Sequence, residues 1–233
     1  MFLFAPNISC KHAFTTRRGG ISDNEFTSLN LGGHEDNPSN ILKNRILVFQ
    51  NLNLSIDNLC HLKQVHGNKV CIAEKTQQEG DALVANQKKL VLTISIADCY
   101  PILFHDPINN VIGASHAGWR GTLRKITENT ISEMIKLGAN INNIQVAIGQ
   151  GISKNKFIVG DEVIQQFEKA YFPSYCWGEN RIDLEACNRF TLLQNGIHEK
   201  NIWSMNRCTY EEDFFSYRQD AGKTGRMWAI ISL

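Results

Sequence analysis

Between residues 81 and 117, short runs rich in Val, Ile and Leu follow one another: "DALVA", "LVLTISI", "PILFH" and "VIGAS". Each is broken by turn formers, which predicts a succession of buried strands. After residue 117 the period changes. Leu123, Ile126, Thr130, Met134 and Leu137 lie three or four apart, and Gly138 stands where a helix stops. That spacing predicts one amphipathic helix. Upstream, "LCHLKQV" and "KVCIAE" flank the turn signal "HGN" and predict a hairpin. A helix is predicted from about Ser39 to Gln50, with its cap near "EDNPSN". Downstream, "IQVAI", "NIWSM" and "RMWAIIS" read as strands. "DEVIQQFEKAY", capped by Asp161, and "LEACNRFTLLQNG" read as helices. Helices and strands interleave, but several strands follow one another directly. This favours an α+β fold with a mixed sheet over strict βαβ winding. There is no repeat and no linker rich in Pro, Gly or Ser, so one domain over residues 1–233 is expected.

Composition narrows the function classes. The 233 residues are 42% apolar and 20% charged, ordinary for a globular protein. A formal net charge of +1 gives no pull toward nucleic acid or a membrane surface, so neither is expected as a partner. The start "MFLFAPNISCKH" is too soon polar for a signal peptide, and "LVLTISIADCYPILF" is broken by Ser95 and Asp98, so no span is expected. Seven cysteines without a C-x-x-C read as thiols of a cytoplasmic protein.

Familiar catalytic motifs fail. "GKTG" at 222–225 lacks the first glycine of a phosphate loop, because Tyr217 stands there. "GASHA" misses the last position of a nucleophile elbow. There is no H-E-x-x-H helix and no zinc base-deaminase signature. What survives is a set of three residues at predicted strand ends: His66, Cys99 and His116. Two imidazoles and a thiolate suit a zinc site that keeps a fourth position open. The same residues also read as two backbone-bonded histidines and one core cysteine, or as a thiolate–imidazolium pair. Asp98 is placed to carry a proton or orient a ligand, or else to close a turn on its own backbone. Arg120, near the predicted helix start, opposes the helix dipole unless both face an anion; an ordinary salt bridge is the alternative. Arg17 and Arg18, before Gly19 and Gly20, are a second candidate anion clamp or a solvated loop.

Eight motifs occur in order: "FTTRRGGIS", "SLNLGGH", "KQVHGNKV", "DALV", "TISIADCYPILFHDP", "GASHAGWRGTL", "VGDEV" and "CTY…FFSYRQDAGKTGRM". In this the chain resembles the YfiH-like proteins, also called the laccase-domain or multicopper polyphenol oxidase family. The resemblance spans nearly the whole chain and implies an α/β/α-layered fold. It implies a zinc-dependent purine nucleoside phosphorylase acting on adenosine, inosine, guanosine and methylthioadenosine, with adenosine deaminase activity and inorganic phosphate as co-substrate. The family's metal ligands fall on His66, Cys99 and His116, its arginine on Arg17 and its asparagine on Asn30. The family's usual Gly-Pro after residue 148 is Gly149–Gln150 here, which bears on base preference if that loop lines the pocket. Bacterial members are also linked to editing of peptidoglycan precursors. A metal-free hydrolase using Cys99 and a histidine is the alternative reading, and a non-catalytic purine binder is a third. The oxidase label conflicts with the donor count: a four-copper enzyme consumes about ten histidines, and this chain has seven and no H-x-H pair.

Overall fold

The computed structural model describes residues 1–33 and 35–233. His34, within the "SLNLGGH" motif, lies outside the described residues. Five helices are present among them: α1 (Pro38–Asn51), α2 (Trp119–Leu123), α3 (Ile126–Lys136), α4 (Asp161–Lys169) and α5 (Leu184–Gln194). One five-stranded sheet runs in the order β1 (Phe2–Leu3), β2 (Lys11–Thr15), β15 (Met227–Ser232), β8 (Val91–Ile96) and β3 (Leu59–Cys60). A six-stranded sheet runs β14 (Ile202–Ser204), β11 (Gln145–Ile148), β9 (Tyr100–Asp106), β10 (Val111–Ala117), β7 (Ala82–Ala85) and β5 (Val70–Ile72). Two small ribbons pair β4 (Leu62–Lys63) with β6 (Gln78–Glu79), and β12 (Trp177–Gly178) with β13 (Arg181–Ile182). Both large sheets mix parallel and antiparallel pairs, as the fold class requires.

Strand alternation decides what each face meets. Leu92, Ile94 and Ile96 of β8, with Ala229 and Ile231 of β15, point at Leu83, Leu103 and Ala114 of the other sheet. The two sheets therefore pack face to face, and the β layer of the α/β/α arrangement is two sheets thick. Behind the six-stranded sheet, Ile126, Met134, Phe167 and Leu192 bring in α3, α4 and α5. On the outer face of the five-stranded sheet, Val91, Trp228 and Ile230 meet Val48 and Phe49 of α1. The alternate positions Thr93, Ser95 and Trp228 of that outer face line a cavity.

Three local expectations are corrected. The hairpin across "HGN" does not form: β3 pairs parallel with β8, and β5 pairs parallel with β7 in the other sheet. The turn instead carries the chain from one sheet to the other, with His66 in the left-handed region at φ 59°. Nor is the amphipathic helix continuous. It breaks into α2 and α3 at Lys125, whose φ is +66°. The apolar stripe survives the break, because Ile126, Thr130 and Met134 remain buried on one face. Asp161 is the first residue of α4, and Gly160 occupies the cap. All seven cysteines are free thiols. No described helix is long and apolar enough to cross a membrane.

Candidate metal centre and its cavity

Three connections converge at one end of the double sheet. Ala97–Asp98–Cys99 steps from β8 in one sheet to β9 in the other, so Cys99 stands at the crossing. Antiparallel pairing of β10 with β9 sets His116 opposite Pro101, close to that step. His66 arrives from the turn after β4. The ligand atoms of His66, Cys99 and His116 all lie within 4.8 Å of one another. The two imidazoles meet edge to face, with ring centroids 4.8 Å apart. His116 is buried, Cys99 half-buried and His66 exposed, so the group opens outward.

One carboxylate organises this group. Asp81 Oδ1 accepts from His116 Nδ1 at 2.9 Å and from the His66 backbone N–H at 2.9 Å. Its Oδ2 accepts from the Gly67 N–H at 2.7 Å. The Asp81 carbonyl accepts from the His116 N–H at 2.8 Å. Holding His116 at Nδ1 leaves Nε2 as its available donor, the arrangement in which a carboxylate orients a metal-binding histidine. Burial alone would raise the Asp81 carboxyl, but the bonds from His116 and Gly67 hold it below the usual carboxylate range. Burial likewise opposes ionisation of the Cys99 thiol, yet His116 and then His66 bring it down to about 6. His116 is carried up to about 9 by Cys99 and Asp81 against the effect of burial. The site thus favours a thiolate, the form in which cysteine binds metal or attacks carbon.

The small residues of "HAGWRG" have a steric cause. A Cβ on Gly118 would sit 2.9 Å from Cys99 Sγ and 3.5 Å from His66 Cδ2. A Cβ on Gly121 would sit 3.0 Å from the Gly67 carbonyl. Both glycines let α2 close against the donor group.

The three donors lie on the wall of a cavity of about 450 Å³, a size typical of small-molecule sites. The other site residues expected from the sequence are not among its described lining residues. Asp98 is buried beside the crossing at φ 86°, but both its oxygens are taken. Oδ1 accepts from Thr209 Oγ1 at 2.6 Å and Ser216 Oγ at 2.7 Å, and Oδ2 from the Arg218 N–H at 2.7 Å. Asp98 thereby anchors the segment that carries Tyr217 to the cavity. Asn30 is fully buried; its Oδ1 accepts from the N–H of Gly32 at 3.1 Å and of Arg226 at 2.8 Å. Arg17 lies over the Phe215 ring and donates from Nε to the Thr27 carbonyl at 2.8 Å. Arg120 is exposed and stacks on Trp119 at 4.2 Å. Gln150 is buried away from the cavity and donates to the Thr15 carbonyl at 3.0 Å. Among the residues that do line it and were missed are Arg45, His61 and Arg226. Arg45 had a signal: with Asn44 it interrupts the α1 face formed by Ile41, Val48 and Phe49.

Fold and wall together define a class: a mixed α/β protein with a candidate three-donor metal centre beside a small-molecule cavity. The chain belongs to the family described as multi-copper polyphenol oxidoreductase laccase, whose model matches residues 11–233. It is 42% identical over 235 residues to a protein of Deinococcus radiodurans named purine nucleoside phosphorylase, covering 99% of this chain and 92% of that one. It is 32% identical over 251 residues to adenosine deaminase RL5 of an unknown prokaryotic organism, covering 98% and 96%. The crystal structure of YlmD from Geobacillus stearothermophilus superposes with a TM-score of 0.92 at 30% identity, covering 98% and 93%.

Proposed function

We propose that this chain is a cytoplasmic, single-domain, zinc-dependent purine nucleoside phosphorylase that also deaminates adenosine. The observation that carries the reading is the gathering of His66, Cys99 and His116 within 4.8 Å on a cavity wall, backed by Asp81. The printed names of the relatives supply the substrate class. Two imidazole nitrogens and one thiolate fit zinc. Among the described residues, no methionine lines the cavity to serve as the long axial ligand of a blue-copper site. His66, Cys99 and His116 would hold the ion, which when bound supplies Lewis acidity toward the substrate or a water molecule.

The reactions balance simply. In phosphorolysis, a phosphate oxygen forms a bond to C1′ of the ribose, and the bond from C1′ to the purine breaks with its electron pair on the base. The base takes up a proton and leaves, giving ribose 1-phosphate. In deamination, adenosine and water give inosine and ammonia. The chain holds the nucleoside against the donor wall, and its cations hold the attacking anion. Asp81 keeps His116 turned so that Nε2 faces the donor group. Asp98 and Asn30 act by position: one fixes the Tyr217 segment, the other the backbone of Arg226. Adenosine, inosine, guanosine and methylthioadenosine are the proposed substrates.

The test pairs metal analysis with phosphate-dependent release of hypoxanthine from inosine, in wild type and in Cys99→Ala. Loss of the bound zinc and a fall in turnover on the order of a hundredfold or more are expected. Unchanged turnover in a metal-free Cys99→Ala protein would overturn the reading. The lowered Cys99 thiol beside a protonated His116 also favours a second reading, a metal-free cysteine hydrolase. That enzyme would be inactivated by alkylation and untouched by chelation, whereas a zinc enzyme loses activity to chelation.

A further inference from the structure

Arg18, Arg181, Arg189 and Arg207 stand near the surface, and each has a carboxylate partner. Arg45 and Arg226 are half-buried, more so than Arg18 and Arg207, and neither has a carboxylate within ion-pair distance among the described residues. A guanidinium withdrawn from water is costly unless a counter-charge meets it. Burial pulls the pKa of both below the ordinary arginine value, consistent with that cost.

Both side chains line the cavity that holds the donor group. Arg45 donates from Nε to the Leu31 carbonyl at 2.8 Å and lies over the Trp228 ring at 4.9 Å. Its two terminal nitrogens have no partner among the described residues. Among the described residues Arg226 donates from Nη1 alone, to the Thr224 and Gly225 carbonyls, leaving Nε and Nη2. The acidic groups that act on Arg226 do so only through space, and Asp98, one of them, is already filled by three donors. His61 lines the same end, and its buried Nδ1 has no hydrogen-bond partner. No carboxylate lines the cavity among the described residues. Lys63, which also lines the cavity, is exposed and paired with Glu79 at 3.0 Å. Fixed, unspent N–H forks on a wall without carboxylates match the oxygens of a phosphate.

We propose that the wall formed by Arg45, His61 and Arg226 is the subsite for inorganic phosphate, facing the donor group across the cavity. The assignment rests on the phosphorylase reading and deepens it. It moves the anion away from Arg17 and Arg120, candidate sites in the sequence, to Arg45, outside every quoted motif, and Arg226, inside "GKTGRM" but given no role there. Arg226 and Cys99 line the same cavity of about 450 Å³, which puts the two walls within reach of one small substrate.

The experiment reads phosphate twice in the full-length protein. One readout is the rise in Tm on adding inorganic phosphate alone; the other is the phosphate KM of inosine phosphorolysis. Arg226→Gln and Arg45→Gln are expected to abolish the Tm rise and to raise the phosphate KM about ten- to a hundredfold. Inosine KM changes less. Arg226→Lys keeps the charge without the fork, so an intermediate loss is expected and a folding defect is separated from a binding one. Unaltered phosphate response in both Gln variants, with loss in Arg17→Gln or Arg120→Gln, would overturn the subsite and leave the enzyme reading intact. Wild-type protein that shows the arginine-dependent Tm rise yet phosphorolyses no nucleoside would sink the enzyme reading and keep the anion wall. A Tm rise with adenosine 5′-monophosphate but none with inorganic phosphate would assign the wall to a phosphate ester and overturn the proposal.

Discussion

Asp81 and Asp98 are two buried carboxylates on either side of the same donor group, and they work in opposite directions. Asp81 turns toward the donors: it accepts from the His116 ring and from the backbone of His66 and Gly67. Asp98 is next to Cys99 in sequence yet turns away, into Thr209, Ser216 and the Arg218 N–H. Adjacency along the chain made Asp98 the candidate for chemistry, and Asp81 was only part of a motif. The folded geometry gives Asp81 the donor wall and Asp98 the loop. A buried carboxylate does what the N–H and O–H groups around it dictate.

The sharpest way to break this contrast is a matched pair of alanine variants. Asp81→Ala frees the His116 ring and uncaps the His66 turn. Zinc affinity is expected to fall about ten- to a hundredfold, as when an orienting carboxylate is lost. Stability falls by about 3–5 kcal/mol, because His116 is left buried without its partner. Metal analysis and urea unfolding read both. Asp98→Ala strips three donors of their acceptor and is expected to cost about 2–3 kcal/mol. It should leave zinc stoichiometry intact while raising nucleoside KM through the loosened Tyr217 segment. Equal zinc loss in the two variants would erase the distinction.

How much of this was legible follows the same line. Strands β8, β9, β10, β11 and β15 were read from their apolar runs, because strands buried between layers carry few polar residues. Helices α1, α4 and α5 were read from their local sequence; Asn37, within "EDNPSN", caps α1, whereas Asp161, read as the cap of α4, is its first residue. The three donors stood out by residue type beside turns. What stayed hidden depends on partners distant in sequence. The HGN turn looked like a hairpin because nothing local reveals that Asp81 binds it. Lys125 gave no warning of a left-handed break, since lysine rarely adopts that conformation. Arg226 follows a glycine-rich turn and reads as solvated until β15 carries it to the cavity.

A smaller effect tests the steric side of the donor wall. Gly118→Ala sets a methyl group 2.9 Å from Cys99 Sγ. The thiol must shift, and overpacking of this kind costs about 1–3 kcal/mol. Zinc affinity should drop about tenfold while the Asp81 bonds persist. Gly138→Ala is the control: it sits at φ +103° with open space around it, so strain appears without metal loss.

The smallest expected effect isolates what a buried carboxylate contributes when no chemistry attends it. Asp106 closes the turn between β9 and β10. Oδ1 accepts from the N–H groups of Ile108 and Asn109, and Oδ2 from Asn109 Nδ2 and the Asn140 N–H. Burial alone would raise its carboxyl, but the bonds from Asn109, Asn140 and Ile108 outweigh burial and hold it below the ordinary value. A carboxylate with a depressed folded-state pKa adds stability that is fully present above its unfolded value, about 3.9. That stability is lost as pH falls through the folded value. Asp106→Asn removes acceptors and should cost about 1–2 kcal/mol at neutral pH. The gap in Tm between wild type and variant should narrow below pH ~4, and zinc content should not change at any pH where the wild type retains it. A gap that is constant with pH would mean the turn is held by shape and not by charge. The Asp81 variant would then be the only one of the three in which the carboxylate's charge has to be invoked.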